Sequence, residues 1–214
     1  PPMETSKIRR EYRTKKLSAK NFSKDPYQQF ARWFKDALKN SITPDPTAMT
    51  LATTSLRGRV SARMVLLKDF NSKGFRFFTN YKSHKSKQIF ENPYAALVFY
   101  WPDLHRQIRI EGEVHALPDK ESDAYFKSRP VGSQIAAHLS PQSSRIPVNA
   151  NLEEALAVLV KQFGDTPIPR PKDWGGFRLV PHHIEFWQGQ PNRLHDRFVY
   201  ELIKKKWDFY RVAP

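Results

Sequence analysis

"TAMTLATTSLRGRVSARMVLLK", residues 47–68, decides how this chain folds. Before it, apolar residues recur at helical spacing. From Thr47 onward they come in short runs rich in β-branched side chains, interrupted by the turn pair Arg57-Gly58. Residues 47–54 and 59–68 therefore predict two strands and a tight turn. Downstream, "FRFFTN" (75–80), "YAALVFYW" (94–101), "RQIRIEGEVHAL" (106–117), "GGFRLV" (175–180), "HIEFWQ" (183–188), "RFVYELI" (197–203) and "WDFYRVA" (207–213) repeat the pattern, and "NSKG" and "PDLH" supply further turns. Nine or so strands joined by tight turns predict an antiparallel meander that closes on itself, because an open flat sheet of that width is disfavoured. The expected class is mainly β, a β-barrel with peripheral α-helices.

Upstream, "DPYQQFARWFKDALKN" (25–40) predicts a helix with Asp25 as N-cap, Pro26 at the first position and Gln28 placed for a capping box. Its aromatic stripe reads as core. Further helices are expected at 83–91, 119–128 and 130–139. Another runs from the Asn151/Glu154 capping box to a stop at Gly164, with Leu152, Leu156, Leu159 and Phe163 on one face. Residues 1–24 read as a flexible basic arm and 25–214 as one domain.

The net charge is +15, and the arm holds eight Lys or Arg against two Glu. Such a balance favours nucleic acid, an anionic membrane or phosphorylated small molecules as partners. No cysteine is present, which removes disulfides, thiol catalysis and thiolate metal sites. No apolar run approaches the ~20 residues that span a bilayer, and no signal-peptide core is visible. A cytoplasmic location is expected, with the Pro-Pro-Met start leaving a preceding targeting segment open. No glycine-rich strand-turn-helix element is present, so Rossmann and P-loop sites are not expected. His182 and His183 would face opposite sides of a strand without an acidic cluster, so no metal site is expected.

Several clusters carry cations at strand and helix ends. Arg63 and Lys68 flank "RMVLLK", either as a ligand pair or as charges bounding a core strand. In "SHKSKQ" (83–88), Ser83 caps a helix whose first turn holds His84 and Lys85, which oppose the helix dipole unless an anion sits among them. Tyr125, Arg129 and Ser133 recur at i, i+4 and i+8 around the helix-breaking Pro130. Gln142 and Ser143 lie in a polar loop. In "EFWQGQPNRLHDR" (185–197), Arg193, His195 and Arg197 alternate and would share one face of a strand, opposite Leu194 and Asp196. Each charge-assisted bond contributes about 1.5–3 kcal/mol, and one phosphate engages two or three such groups. The count of cations therefore suggests two anionic groups.

"RMVLLK", "FFTN", "RQIRIEG", "YFKSRP", "SQI", "QSS", "WGGFR", "EFWQGQPNRLHDR" and "RVAP", in that order, resemble the pyridoxine 5'-phosphate oxidase (pyridoxamine-phosphate oxidase) family. The resemblance runs from "IRREY" (8–12) to the C-terminus. It implies an FMN-binding split barrel, a homodimer with FMN at the subunit interface, and no nucleic-acid or membrane partner. The implied reaction oxidises pyridoxine or pyridoxamine 5'-phosphate to pyridoxal 5'-phosphate. Hydride passes from C4' to flavin N5, and O2 is reduced to H2O2. The resemblance assigns Arg63, Met64, Val65, Leu66, Leu67, Lys68, Phe78, Thr79, His84, Lys85, Gln107, Gln142, Ser143, Trp187 and Arg197 to FMN. It assigns the substrate phosphate to Lys68, Tyr125, Arg129 and Ser133, the pyridine ring and catalysis to Arg193 and His195, and a covering segment to Arg9 and Tyr12. The family commonly reads Ser-Arg-Lys where this chain has Ser83-His84-Lys85, so a group of pKa ~6.5 replaces a permanent guanidinium. Two alternatives are a flavin-binding split barrel without this oxidase activity and an RNA-binding protein. The latter rests on "KGFRFFTN" (73–80), which partly mimics an RNA-recognition signature but has Arg76 and Asn80 where a small residue and an aromatic belong.

Overall fold

The computed structural model describes residues 4–214. Among them are nine strands: β1 (Ala48–Thr54), β2 (Val60–Leu66), β3 (Asp69–Asn71), β4 (Gly74–Asn80), β5 (Tyr94–Trp101), β6 (Arg106–Ala116), β7 (Trp174–Gln188), β8 (Asp196–Ile203) and β9 (Lys206–Arg211). Five α-helices accompany them: α1 (Pro26–Asn40), α2 (His84–Glu91), α3 (Asp119–Ser128), α4 (Val131–Leu139) and α5 (Leu152–Phe163). The strands form one sheet in the order β2-β1-β5-β6-β7-β4-β3, with β8 paired to β7 and β9 to β8. This is not the uninterrupted meander expected from the tight turns. Hairpin partners do lie side by side, and so do β6 and β7 across the long connection carrying α3 to α5. But β5 neighbours β1 and β4 neighbours β7, so the connection carrying α2 joins strands that are not neighbours in the sheet.

Three further expectations need correction. The runs 175–180 and 183–188 are one 15-residue strand, β7, which continues through Pro181. Its first part pairs with β4 (Trp174↔Asn80 to Leu179↔Phe75) and its last with β8 (His183↔Glu201 to Gln188↔Asp196). Pro181, which has no N–H to offer a ladder, sits between the two registers. The short strand β3 was not expected; its three residues pair back onto β4 across the 71–74 turn. Strand β2 is not buried: it ends the strand order, and Val60, Met64 and Leu66 are exposed.

Helix boundaries follow their caps. Asp25 accepts from Tyr27 N–H at 2.8 Å, with Pro26 as the first residue of α1. The capping box does not form, because Ser23 Oγ takes both roles: it accepts the Asp25 N–H and donates to Gln28 Oε1. Asn151 accepts the Glu154 N–H, and α5 stops at Gly164, whose φ of +53° suits a residue without Cβ. The apolar face of α5 is only partly covered, and none of its residues is buried.

Contacts divide the chain into two interleaved compact units. The first comprises residues up to 50, 96–111 and 181–214. Its core sets Phe30 and Trp33 of α1 edge-on against Phe99 and Phe186, both at 5.2 Å. The second comprises 51–95 and 112–180, with a core around Phe77, Phe177 and Tyr81.

Candidate active site

In the second unit, a hollow of about 490 Å³ is lined by Arg63, Lys68, Lys85 and Arg129, and no carboxylate is among its lining residues. Arg63 comes from β2 and donates through Nη1 to the Leu51 carbonyl (3.1 Å) and Thr53 Oγ1 (2.6 Å), both of β1. Burial pushes its pKa down. Lys85 lies in the first turn of α2, whose N-cap Ser83 is fully buried and accepts the Ser86 N–H. Only 8% of Lys85 is exposed. Its Nζ donates to Gln142 Oε1 (2.8 Å) and Thr79 Oγ1 (3.0 Å). Burial, then the nearby Arg63 charge, push its pKa down to about 8. An ammonium so placed lacks a counter-charge.

Arg129 follows α3, and Pro130 opens α4, so the expected break puts Arg129 and Ser133 at a helix entrance. The Arg129 guanidinium lies 4.6 Å over the Trp174 ring, and its Nη1 is buried without a hydrogen-bond partner. Burial lowers its pKa as well. Phe78 stacks on Tyr125 at 3.9 Å and on Trp174 at 5.7 Å, giving an aromatic wall. Of the residues expected here, Met64, Val65, Leu66, Phe78, Thr79, Tyr125, Ser133 and Gln142 also line the hollow. Leu67, His84 and Ser143 do not. Leu67 is buried, Ser143 sits in the adjoining loop with φ +65°, and the exposed His84 has its Nε2 3.2 Å from Ser61 Oγ. Trp174 was missed, although "WGGFR" contains it.

Two hollows in the first unit hold the remaining residues. One, about 560 Å³, is lined by Arg9, Tyr12, Gln190, Arg193 and His195 among others. The other, about 210 Å³, is lined by Gln107, Arg109, Glu185, Trp187, His195, Arg197 and Pro214. His195 borders both. The expected strand face does not form: Asn192 and Arg193 have φ of +56° and +60°, and β8 begins only at Asp196. Pro191 and Asn192 make a tight turn instead, Asn being among the residues that tolerate this region. Arg193 and His195 are thus brought together by a turn.

Arg197 already has an internal anion. Its Nε donates to Glu185 Oε1 at 2.6 Å, and this bond, more than the opposing burial, raises its pKa. Glu185 is 2% exposed and also pairs with Arg109. His195 Nδ1 accepts the Gln190 backbone N–H at 3.0 Å. A nitrogen that accepts carries no proton, so the neutral ring bears its hydrogen on Nε2. Burial, then Arg193, lower the His195 pKa from 6.5 and favour that neutral form. The Tyr12 ring stands edge-on to His195 (5.5 Å), Trp187 (5.7 Å) and His105 (5.0 Å). A Cβ on Gly189 would lie 2.6 Å from that ring, so only glycine admits it there without a shift. A larger hollow of about 690 Å³, beside Trp33 and Arg106, takes in none of the expected site residues.

The chain is similar to known proteins along almost its whole length. Residues 34–163 match the family described as pyridoxamine 5'-phosphate oxidase, and 174–214 match the pyridoxine 5'-phosphate oxidase C-terminal dimerisation region. The pyridoxine/pyridoxamine 5'-phosphate oxidase of a Cyanothece species is 48% identical over 209 residues, covering 98% of each chain. That of a Janthinobacterium species is 46% identical over 99% of this chain and 100% of its own. Among solved structures, PhzG from Burkholderia lata, in complex with tetrahydrophenazine-1-carboxylic acid, superposes with a TM-score of 0.85 at 28% identity, over 91% of this chain and 95% of that one. An FMN-binding protein related to pyridoxamine 5'-phosphate oxidase, from Nostoc punctiforme, gives a TM-score of 0.72 at 17% identity, over 90% and 100%.

Proposed function

The chain belongs to the pyridoxamine 5'-phosphate oxidase family, and from that premise we propose that it is an FMN-dependent oxidase converting pyridoxine or pyridoxamine 5'-phosphate to pyridoxal 5'-phosphate, with O2 reduced to H2O2. Its fold is the mainly β split barrel of that family. The observation that carries the reading is the first hollow, where four cations and an aromatic wall enclose a space without a carboxylate. That donor set fits phosphorylated aromatic ligands, and the free Arg129 Nη1 and the uncompensated Lys85 each call for an anion.

FMN, when bound, would supply the hydride-accepting redox chemistry that the protein's own side chains lack. The protein binds and orients. Arg63 and Lys85 hold the cofactor phosphate, with Met64, Val65, Leu66, Leu67, Lys68, Phe78, Thr79, Gln142 and Ser143 around the flavin. Lys68, Tyr125, Arg129 and Ser133 take the substrate phosphate. Arg193 bears on the ionised ring oxygen, and His195 donates from Nε2 to the ring substituents. Gln107, Trp187 and Arg197 complete the cofactor site across a homodimer, in keeping with the dimerisation region matched at 174–214. His84 contributes at the margin through Ser61. Among the described residues no helix is long and apolar enough to cross a membrane. The cytoplasmic location expected from the cysteine-free composition belongs to this proposal, as does the absence of nucleic-acid and membrane partners.

The purified protein is expected to be a yellow dimer with about one FMN per chain. Pyridoxamine 5'-phosphate should bleach its visible absorbance without oxygen, and air should restore the colour with release of peroxide. A colourless monomer that stays inactive with added FMN would sink the reading.

The arm has a separate test. Arg9 and Tyr12 border the same hollow as Arg193 and His195, and Thr14 Oγ1 donates to the Gly189 carbonyl. Deleting residues 1–14 should raise KM for the phosphorylated substrate about tenfold, ~1.4 kcal/mol, and leave FMN content unchanged. Unaltered kinetics after truncation would remove the covering role.

A further inference from the structure

We propose that Asp196 is a positioning residue that ties the docked arm to the turn carrying Arg193 and His195, so that the imidazole is oriented for substrate only while the arm is in place. Asp196 borders neither hollow of the first unit, yet it is fully buried. Its Oδ2 accepts the Leu17 backbone N–H and Gln190 Nε2, each at 2.9 Å, and its Oδ1 accepts Arg211 Nη2 at 2.9 Å. A buried carboxylate is tolerated only when its lone pairs are met, and here three segments far apart in sequence meet them.

Gln190 is the link to the site. Its side chain is held by Asp196, with a longer bond to the Lys15 carbonyl (3.4 Å), and its backbone N–H occupies His195 Nδ1. The arm is bound to the same short stretch. Gln188 Nε2 donates to the Lys15 carbonyl at 2.6 Å, and Thr14 Oγ1 to the Gly189 carbonyl at 2.5 Å. Lifting residues 14–17 therefore breaks bonds to the backbone that sets the His195 tautomer, and releasing Gln190 loosens the arm. The inference rests on His195 as the substrate-facing group, but two of its three readouts do not use substrate.

Asp196→Asn in the holoenzyme keeps the shape but turns an NH2 toward groups that only donate. Trypsin should then cut after Lys15 and Lys16 about tenfold faster, because cleavage follows local opening. Ring 15N shifts should show His195 leaving the Nε2–H tautomer of the wild type for a mixture of both. KM for pyridoxamine 5'-phosphate should rise about tenfold with a smaller loss in kcat. Gln190→Ala, which leaves the carboxylate with Leu17 and Arg211, should move all three readouts the same way by less. Wild-type cleavage and tautomer in Asp196→Asn would overturn the proposal. So would an Asp196→Asn chain that does not fold, combined with a Gln190→Ala enzyme unchanged in both. Cleavage and tautomer that shift while KM does not would uphold the tie and count against His195 as the substrate group.

Discussion

Lys85→Met should stabilise the apoprotein and weaken FMN binding, two effects of opposite sign from one substitution. Lys85 is 8% exposed with only neutral hydrogen-bond acceptors at Nζ, and burial and Arg63 together lower its pKa from 10.5 to about 8. A folded-state pKa below the unfolded value means that folding expels a proton between those limits. The penalty is fully present below pH about 8, and the apoprotein gains stability as pH rises from there toward 10.5. Methionine removes the charge and the penalty, so apo Tm at pH 7 should rise and its pH dependence above 8 should flatten. The same ammonium is what the cofactor phosphate needs. Losing one charge-assisted bond of about 1.5–3 kcal/mol should weaken FMN between about ten- and a hundredfold. Wild-type affinity should also fall as pH climbs past about 8 and the apo lysine loses its proton, whereas the variant should show no such decline. Flavin-fluorescence titrations with apo melting curves decide it. A Lys85→Met apoprotein that melts lower would deny the burial penalty, and one that keeps wild-type FMN affinity would move the phosphate elsewhere.

The signals for this hollow were local, which is why the sequence carried most of it. Ser83 ahead of Lys85, and Arg129 ahead of Pro130, place cations at helix entrances that nearest-neighbour chemistry alone can predict. Lys68, just past the end of β2, reaches the hollow that Arg63 lines from within that strand. What the sequence did not disclose depends on pairing between distant segments. Strand order is one case, because a hairpin signal says nothing about β4 meeting β7. Pro181 is another: a proline in a strand run normally demotes the run, and only the exchange of partners from β4 to β8 makes it harmless. The triplet at 193–197 erred for a different reason. The period-two pattern competed with Pro191-Asn192 turn chemistry, and the turn won. The ion pair of Arg197 was likewise hidden, because its buried partner Glu185 lies on the paired strand diagonal to it, two residues from the directly opposed Trp187, and could not be weighed without the register.

That turn sets up the second large effect. Arg193→Ala and His195→Ala should each lower kcat/KM at least tenfold, ~1.4 kcal/mol or more of transition-state stabilisation, with FMN content unchanged. The His195 case separates two roles. Its Nδ1 is occupied by the Gln190 N–H, so the neutral ring offers only an Nε2–H donor. Protonation must take place at Nδ1, and it breaks that bond. Burial and Arg193 resist it, while Tyr12 packs against the ring and Arg9, Arg10 and Glu11 border the same hollow. A donor role predicts that His195→Gln, which keeps an N–H at similar reach, retains more activity than His195→Ala; a proton-accepting role predicts that both fall equally. The pH profile gives an independent reading. Because the His195 pKa is lowered, the limb where wild-type kcat/KM declines through its protonation should lie below pH 6.5 and be absent from His195→Gln. The decline left in the variant would be the substrate phosphate's own ionisation near pH ~6. Equal losses in Gln and Ala variants, or an acid limb unchanged by His195→Gln, would show that the imidazole is not the group that donates to substrate.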